Sequence, residues 1–273
     1  MSCHERQLMK DSLPLFGHAL DAPTAFSPEA LMEAVRADRH LSREPIPQIC
    51  LLEFDGDLTD WLVSTGKVRP CRSWACFHTS MFSLEVDGIT CGIVPRTIGG
   101  PYAVLVAEQM TISGARVVLG LTSAGRVSST MPVPGLVAVT RAVRDEGTSY
   151  HYLPPAAMVD APSEVASLLE SELRTQPLPV RSGTVWTTDA PYRETEEQLA
   201  SHAKARVLAV EMQAASLFAF SAARRFPVGV VAHVTNSSSW EGKAFDKGVR
   251  ELEFGILEAI CRAGERFVSS SNV

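Results

Sequence analysis

The sequence predicts an α/β protein in three layers, a mixed central β-sheet with helices on both faces. Three observations carry this. Short apolar, β-branched segments alternate along the chain with segments whose apolar residues recur at helical spacing. The segment Arg116–Leu121 is apolar on both faces, as a central strand must be. A chain of 273 residues, 45% hydrophobic and 21% charged, is long and apolar enough to bury such a core without disulfides or metals.

Residues 1–45 read as an N-terminal extension, interrupted by Pro14, Pro23, Pro28 and Pro45. Within it Ser27 is placed to cap a short helix to about Asp38, with Pro28 in its first turn. Residues 46–273 read as one domain. Ile49–Phe54 is a strand ending in Asp55-Gly56-Asp57, and Asp87-Gly88 joins Met81–Val86 and Thr90–Val94 in a hairpin. Gly99-Gly100-Pro101 opens a helix that Gly114 ends. After Arg116–Leu121 come a strand at Gly135–Thr140, a helix at Pro162–Leu173, a strand at Ser182–Thr187 and a helix from Glu194 to about Ala203. Val207–Val210 leads into a helix at Met212–Arg225, followed by a strand at Val228–Val234. Lys243–Arg266 closes the chain as a long helix with Phe245, Val249, Leu252, Ile256 and Ile260 on one face.

The net charge of −6 and the lack of basic runs argue against nucleic acid as a partner. No apolar run is long enough to span a bilayer, and Met1–Arg6 opens no signal peptide, so a cytoplasmic setting is expected. Six cysteines are present without a C-x-x-C pair. Cys50 and Cys91 read as buried thiols, and Cys71 and Cys76 have no second pair to complete a zinc site, so no metal is expected. Dinucleotide, P-loop, zinc-protease and nucleophile-elbow motifs are absent.

Ligands of open α/β sheets bind beyond the carboxyl ends of strands. That rule selects five loops: Asp55–Asp57, Arg96–Pro101, Thr122–Arg126, Thr187–Thr195 and His233–Ser239. Thr122-Ser123-Ala124-Gly125 offers two hydroxyls and a flexible backbone to an anion or a sugar oxygen, or makes an ordinary connection. Glu211 lies where a strand meets a helix, either as a cap or as a site carboxylate. His233 and His78 suit a satisfied core histidine as well as a catalyst. Asn236 can recognise a planar amide, as in a nucleobase, or make a turn.

Taken in order, several stretches resemble the nucleoside phosphorylase superfamily in its uridine-phosphorylase-like branch. They are Ile98-Gly99-Gly100-Pro101, Val118–Gly125, Glu146-Gly147-Thr148-Ser149-Tyr150-His151-Tyr152, Thr187–Arg193 and Ala209-Val210-Glu211-Met212-Gln213-Ala214-Ala215. The resemblance spans roughly residues 48 to 265. It implies cleavage of the N-glycosidic bond of a nucleoside through a ribosyl-cation-like state, with inorganic phosphate as co-substrate and no cofactor. It places Glu211, Gln213, Asn236 and His78 in the chemistry, His78 reaching in from a neighbouring subunit. Met212 falls on the ribose, and Thr122, Ser123 and Ala124 on the sugar and nucleophile. Asp189, Tyr192 and Arg193 fall towards the base, with Gly56, Gly100 and His233 also on the substrate. A homo-oligomer, dimer or hexamer, is expected because relatives complete their sites across subunits.

Two departures stand out. The family's second motif carboxylate, which grips the ribose hydroxyls, is Gln213 here, a neutral side chain that accepts only through its carbonyl. The family's phosphate arginines fall near Asp60, near Phe77 or His78, and near Gly120; Arg96 and Arg126 are the candidates to replace them. Phosphorolysis to free base and pentose-1-phosphate is therefore the leading expectation. Phosphate-independent hydrolysis and a weakly active relative that binds a modified nucleoside are its alternatives.

Overall fold

The computed structural model describes residues 14–237 and 247–271. Expectations for residues 1–13, Cys3 among them, for Ser239 and for Lys243 and Phe245 lie outside the described residues. The order is α1 (Pro28–Arg39), β1 (Ile49–Glu53), α2 (Asp57–Ser64), β2 (Val68–Pro70), β3 (Phe82–Val86), β4 (Ile89–Pro95), α3 (Gly100–Ser113), β5 (Val117–Arg126), β6 (Gly135–Asp145), β7 (Met158–Asp160), α4 (Ser163–Leu173), β8 (Val180–Thr188), α5 (Glu196–Lys204), β9 (Ala209–Glu211), α6 (Ala214–Arg224), β10 (Val228–Ser237) and α7 (Arg250–Ser270).

All ten strands join one mixed sheet, in the order β10-β6-β8-β9-β5-β1-β4-β3-β2 with β7 against β6. β5 is its axis. One of its edges runs parallel to β10 from Val118 to Arg126. The other runs parallel to β1 only as far as Leu121, and antiparallel to β9 only at Gly125 and Arg126. Because β10 also pairs with β6, the strands β5, β10, β6, β8 and β9 close a ring. β1 leads away from it to the β4–β3–β2 extension.

The pleat divides the core as the alternation predicts. Cys50 and Leu52 of β1 pack with Met32 of α1, Val104 of α3 and Phe218 of α6. Ile49 and Leu51 turn the other way, to Leu58 of α2, Leu169 of α4 and Ile256 of α7. The three layers are thus helices, sheet, helices. Cys50 and Cys91 are buried as free thiols.

Several bounds differ from the expected ones, for physical reasons. Thr122–Arg126 continues β5 rather than forming a loop, because β10 supplies backbone partners along it. β6 runs on to Asp145 beside β8. α2, β2 and β7 were not legible in the sequence; α2 has only eight residues and starts directly after Asp55-Gly56. α5 begins at Glu196 because Thr195 caps it in a capping box with Gln198. α7 begins at Arg250 behind an extended Val249 and runs past Arg266 to Ser270.

Candidate active site

The discontinuity on β5 makes the site. β1 leaves that edge at Leu121 and β9 reaches it at Gly125, so Thr122, Ser123 and Ala124 have no strand partner there. β1 and β9 run towards each other along the edge and turn away before meeting. Phe54 still donates its N–H to the Leu121 carbonyl at 3.2 Å, and the chain then leaves as Asp55-Gly56-Asp57. From the other direction Glu211 ends β9 and the chain leaves as Met212-Gln213. A cavity of about 420 Å³ opens between them. Its wall includes Asp55, Thr122, Ser123, Ala124, Met212, Gln213 and Asn236, with Ile98, Tyr192 and Glu194 also lining it.

Each turn is built on a buried glutamate. Glu211, 4% exposed, accepts from the N–H groups of Gln213 at 2.7 Å and Ala214 at 2.9 Å, and from the Thr187 hydroxyl. Burial pushes its pKa up to about 7, against the pull of those hydrogen bonds. Both carboxylate oxygens are thereby engaged in holding the start of α6. Glu53, 3% exposed, does the same for α2: it accepts from Gly56 N–H at 2.7 Å, and from Thr59 N–H at 3.3 Å and hydroxyl at 2.9 Å. Burial likewise pushes its pKa up to about 7. Gly56 makes this turn at φ +89°, a conformation that favours glycine, and a side chain there would also meet Arg96.

The polar wall between the turns is ordered. Met212 donates its N–H to Gln213 Oε1 at 3.2 Å, and the Thr122 hydroxyl lies 3.3 Å from the same oxygen. A backbone N–H can only donate, so the Gln213 carbonyl is the atom fixed there and the amide nitrogen turns elsewhere. Ser123 donates its hydroxyl to Asp55 Oδ1 at 3.0 Å. Lys247, just before α7, bridges Asp55 Oδ2 at 2.6 Å and Asp57 at 2.8 Å, and Arg250 joins Asp57 at 2.9 Å and Glu253. Acceptor atoms of Glu53, Asp55 and Asp57 lie within 4.8 Å of one another, a grouping crossed by the Lys247 ammonium.

The predicted residues divide spatially. Glu211, Met212, Gln213, Thr122, Ser123, Ala124, Tyr192 and Asn236 share the cavity. His78 and Arg96 line a different one, of about 500 Å³, with Tyr102. There His78 bonds Tyr102 at 3.1 Å and the Cys76 sulfur at 3.2 Å, and its pKa is lowered by burial. Arg96 is ion-paired to Asp60. Asp189 accepts from Gly147 N–H at 2.8 Å and faces a third cavity, of about 600 Å³, with Gln109 and Arg224. Gly100 starts α3 hard against Ser216. His233 is buried within β10 opposite Ser123, Arg126 ends β5 beside Ala209, and Arg193 ends an exposed 3-10 turn at Pro191–Arg193. Among the described residues no arginine is on the wall of the first cavity.

Sequence reading passed over two wall residues. Asp55 was seen only as part of a strand-end turn, and Glu194 only as the start of a helix. A carboxylate directly after an apolar strand is a signal that could have found Asp55. Glu194 carried none.

Comparison with known proteins agrees with the architecture. Residues 49–262 match the family model of the phosphorylase superfamily. The chain is 28% identical over 152 residues to a guanosine phosphorylase of Halorubrum lacusprofundi, covering 54% of this chain and 61% of that one. It is 21% identical over 227 residues to a uridine phosphorylase of Haemophilus influenzae, covering 78% and 86%. To a DeoD-type purine nucleoside phosphorylase of Myxococcus xanthus it is 30% identical over 145 residues, covering 52% and 60%. It thus spans about three fifths of the length of the first and third of these relatives. With most of its length matched by the family model, the chain belongs to the phosphorylase superfamily.

Proposed function

We propose that this protein cleaves the N-glycosidic bond of a nucleoside and transfers the pentose to phosphate, releasing the free base. The observation that carries this reading is the single cavity where Thr122, Ser123, Met212, Gln213 and Asn236 converge on the uncovered edge of β5. The relatives' names, guanosine, uridine and purine nucleoside phosphorylase, support a nucleoside as substrate. In this reading Gln213 and Met212 hold the sugar, with Glu211 fixing their turn rather than touching the ligand. Thr122, Ser123 and the backbone beside them receive the nucleophile, and Asn236 and Tyr192 face the base. Asp189, Arg193, His233, Gly56 and Gly100 support the walls from outside. Inorganic phosphate is the co-substrate and no cofactor is required. His78, in its separate cavity, acts on the reaction through a neighbouring copy of the chain, which makes the working form a homo-oligomer, and Arg96 and Arg126 are the candidates to hold phosphate. Among the described residues no helix is long and apolar enough to cross a membrane, in keeping with a cytoplasmic enzyme.

One observation favours a second reading. Asp55 stands beside Ser123 where a phosphate would sit, and like charges there oppose a phosphate dianion. A carboxylate held there by Ser123 and Lys247 keeps a second lone pair on each oxygen to accept from a water, and the reaction is then hydrolysis. The test incubates the chain with a nucleoside panel, with and without phosphate. Sugar-1-phosphate formed only with phosphate supports transfer; base release independent of phosphate supports hydrolysis. A panel that stays intact under both conditions refutes glycosidic cleavage.

A further inference from the structure

We infer that Glu194 is the general acid of this site, the group that delivers a proton to the departing base; the inference rests on the glycosidic-cleavage reading above. Among the described residues three carboxylates line the cavity: Asp55, Glu194 and Glu211. Both oxygens of Glu211 are taken by Thr187, Gln213 and Ala214. Both oxygens of Asp55 are taken by Ser123 and Lys247. The Glu194 carboxyl has no hydrogen-bond or ion-pair partner among the described residues, although the residue is half-buried. Half-buried on the cavity wall and not committed to another residue described here, this carboxyl can meet something that enters the cavity.

Its place in the fold agrees. Glu194 follows β8 and Asp55 follows β1, and in the sheet β8 and β1 stand three places apart with β9 and β5 between them. At the spacing of neighbouring strands the two leading strands are about 14 Å apart. Thr122 and Ser123 lie on β5 between those strands, and Asp55 and Glu194 reach the same cavity from the segments that follow β1 and β8. In this reading the nucleophile enters on the Asp55 side and the base leaves on the Glu194 side. Thr195 caps α5 with its own side chain, so the preceding Glu194 is free of the helix and fixed at its mouth. Desolvation raises the Glu194 pKa, which keeps a proton available closer to neutrality. The other titratable side chain on the wall, Tyr192, is 99% exposed.

The step balances without a further reagent. The bond from the anomeric carbon to the base nitrogen breaks with its electron pair going to the base. The Glu194 proton moves to the base, which departs neutral. The nucleophile oxygen forms the new bond to the anomeric carbon, and the proton it sheds returns through solvent to the Glu194 carboxylate.

A leaving group that needs no proton separates this role from a structural one. The test compares wild type and Glu194→Gln on nucleosides and on 4-nitrophenyl β-D-ribofuranoside. The expected result is a fall in kcat of about 10²–10³ on nucleosides and a change within about threefold on the aryl riboside, with Glu194→Asp regaining part of the loss. Unchanged nucleoside cleavage in Glu194→Gln, or equal losses on both substrates, overturns the inference alone. Wild type inactive on both substrates overturns the glycosidic reading and the inference with it.

Discussion

Glu53 and Glu211 perform the same structural task on either side of the cavity, in opposite electrostatic surroundings. Each ends a strand that runs along β5, and each accepts two backbone N–H groups and a threonine hydroxyl from the turn or wall beside it. The residues that directly follow Glu211 are neutral, Met212 and Gln213. Beyond Glu53 the turn is ionic: Asp55 and Asp57 cross-linked by Lys247 and Arg250. The difference teaches that the fold fixes the turns by buried carboxyls and leaves the charge of each wall to the residues that follow. In the proposed reaction the neutral turn meets the sugar and the ionic one the nucleophile.

The largest expected effect tests the shared task. Glu211→Ala leaves two N–H groups and a hydroxyl buried without their acceptor, and should cost about 4 kcal/mol of stability, read from urea unfolding. A loss under about 1 kcal/mol would show that the turn stands without it. Next comes pH. Burial holds the pKa of both glutamates at about 7 in the folded chain, above the ordinary 4.5 of a glutamate in water. Raised carboxyls contribute stability that is full below the unfolded pKa and is lost as pH rises through the folded one. The unfolding free energy read from urea should therefore fall between about pH 5 and pH 8, by on the order of 2–3 kcal/mol for each group. Glu53→Gln should remove one share of that slope; a slope unchanged in both Gln variants would end the assignment.

The charged wall is probed by Asp55→Asn. If phosphate is the nucleophile, losing the like charge should lower the phosphate KM about tenfold while kcat holds. A fall in kcat of about a hundredfold with no response to phosphate would instead give Asp55 the activation of water. The neutral wall gives the smallest effect. Gln213→Glu places a carboxylate between Thr122 and Met212, where it still accepts the Met212 N–H and turns a second oxygen to the sugar. Turnover on ribosides should rise about tenfold, which is what one added electrostatic contact of modest strength supplies. No gain would take Gln213 out of the sugar site.

Much of this was readable beforehand, for local reasons. The alternation of segments, the glycine-opened α3 and the Glu211-Met212-Gln213 junction depend on neighbours in sequence. What escaped depends on distant ones. Lys247 reaches Asp55 across 192 positions, and no local pattern announces that clasp. Thr122–Arg126 reads as a loop because its partner is β10, a hundred positions away in the chain. Glu194 reads as a helix residue because glutamate suits a first turn, and the cap one residue later wins. Arg96 and Arg126 seemed near the nucleophile because proximity in sequence stood in for proximity in space. Arg96 pairs with Asp60 and Arg126 ends β5 in register with Ala209, and neither is among the described residues that line the cavity.

The uncovered edge of β5 also acts as a gauge. From Leu121, where β1 lets go, to Gly125, where β9 takes over, are four steps of an extended strand, about 13 Å. The ring holds the β9 jaw, which cannot swing outward without breaking its pairs with β8 and β5, and pairs with β5 and β4 hold β1. The length a ligand occupies along the strand is therefore set by backbone register. A ligand longer than that gap has to extend its surplus out of the cavity, whose wall carries the exposed ring of Tyr192.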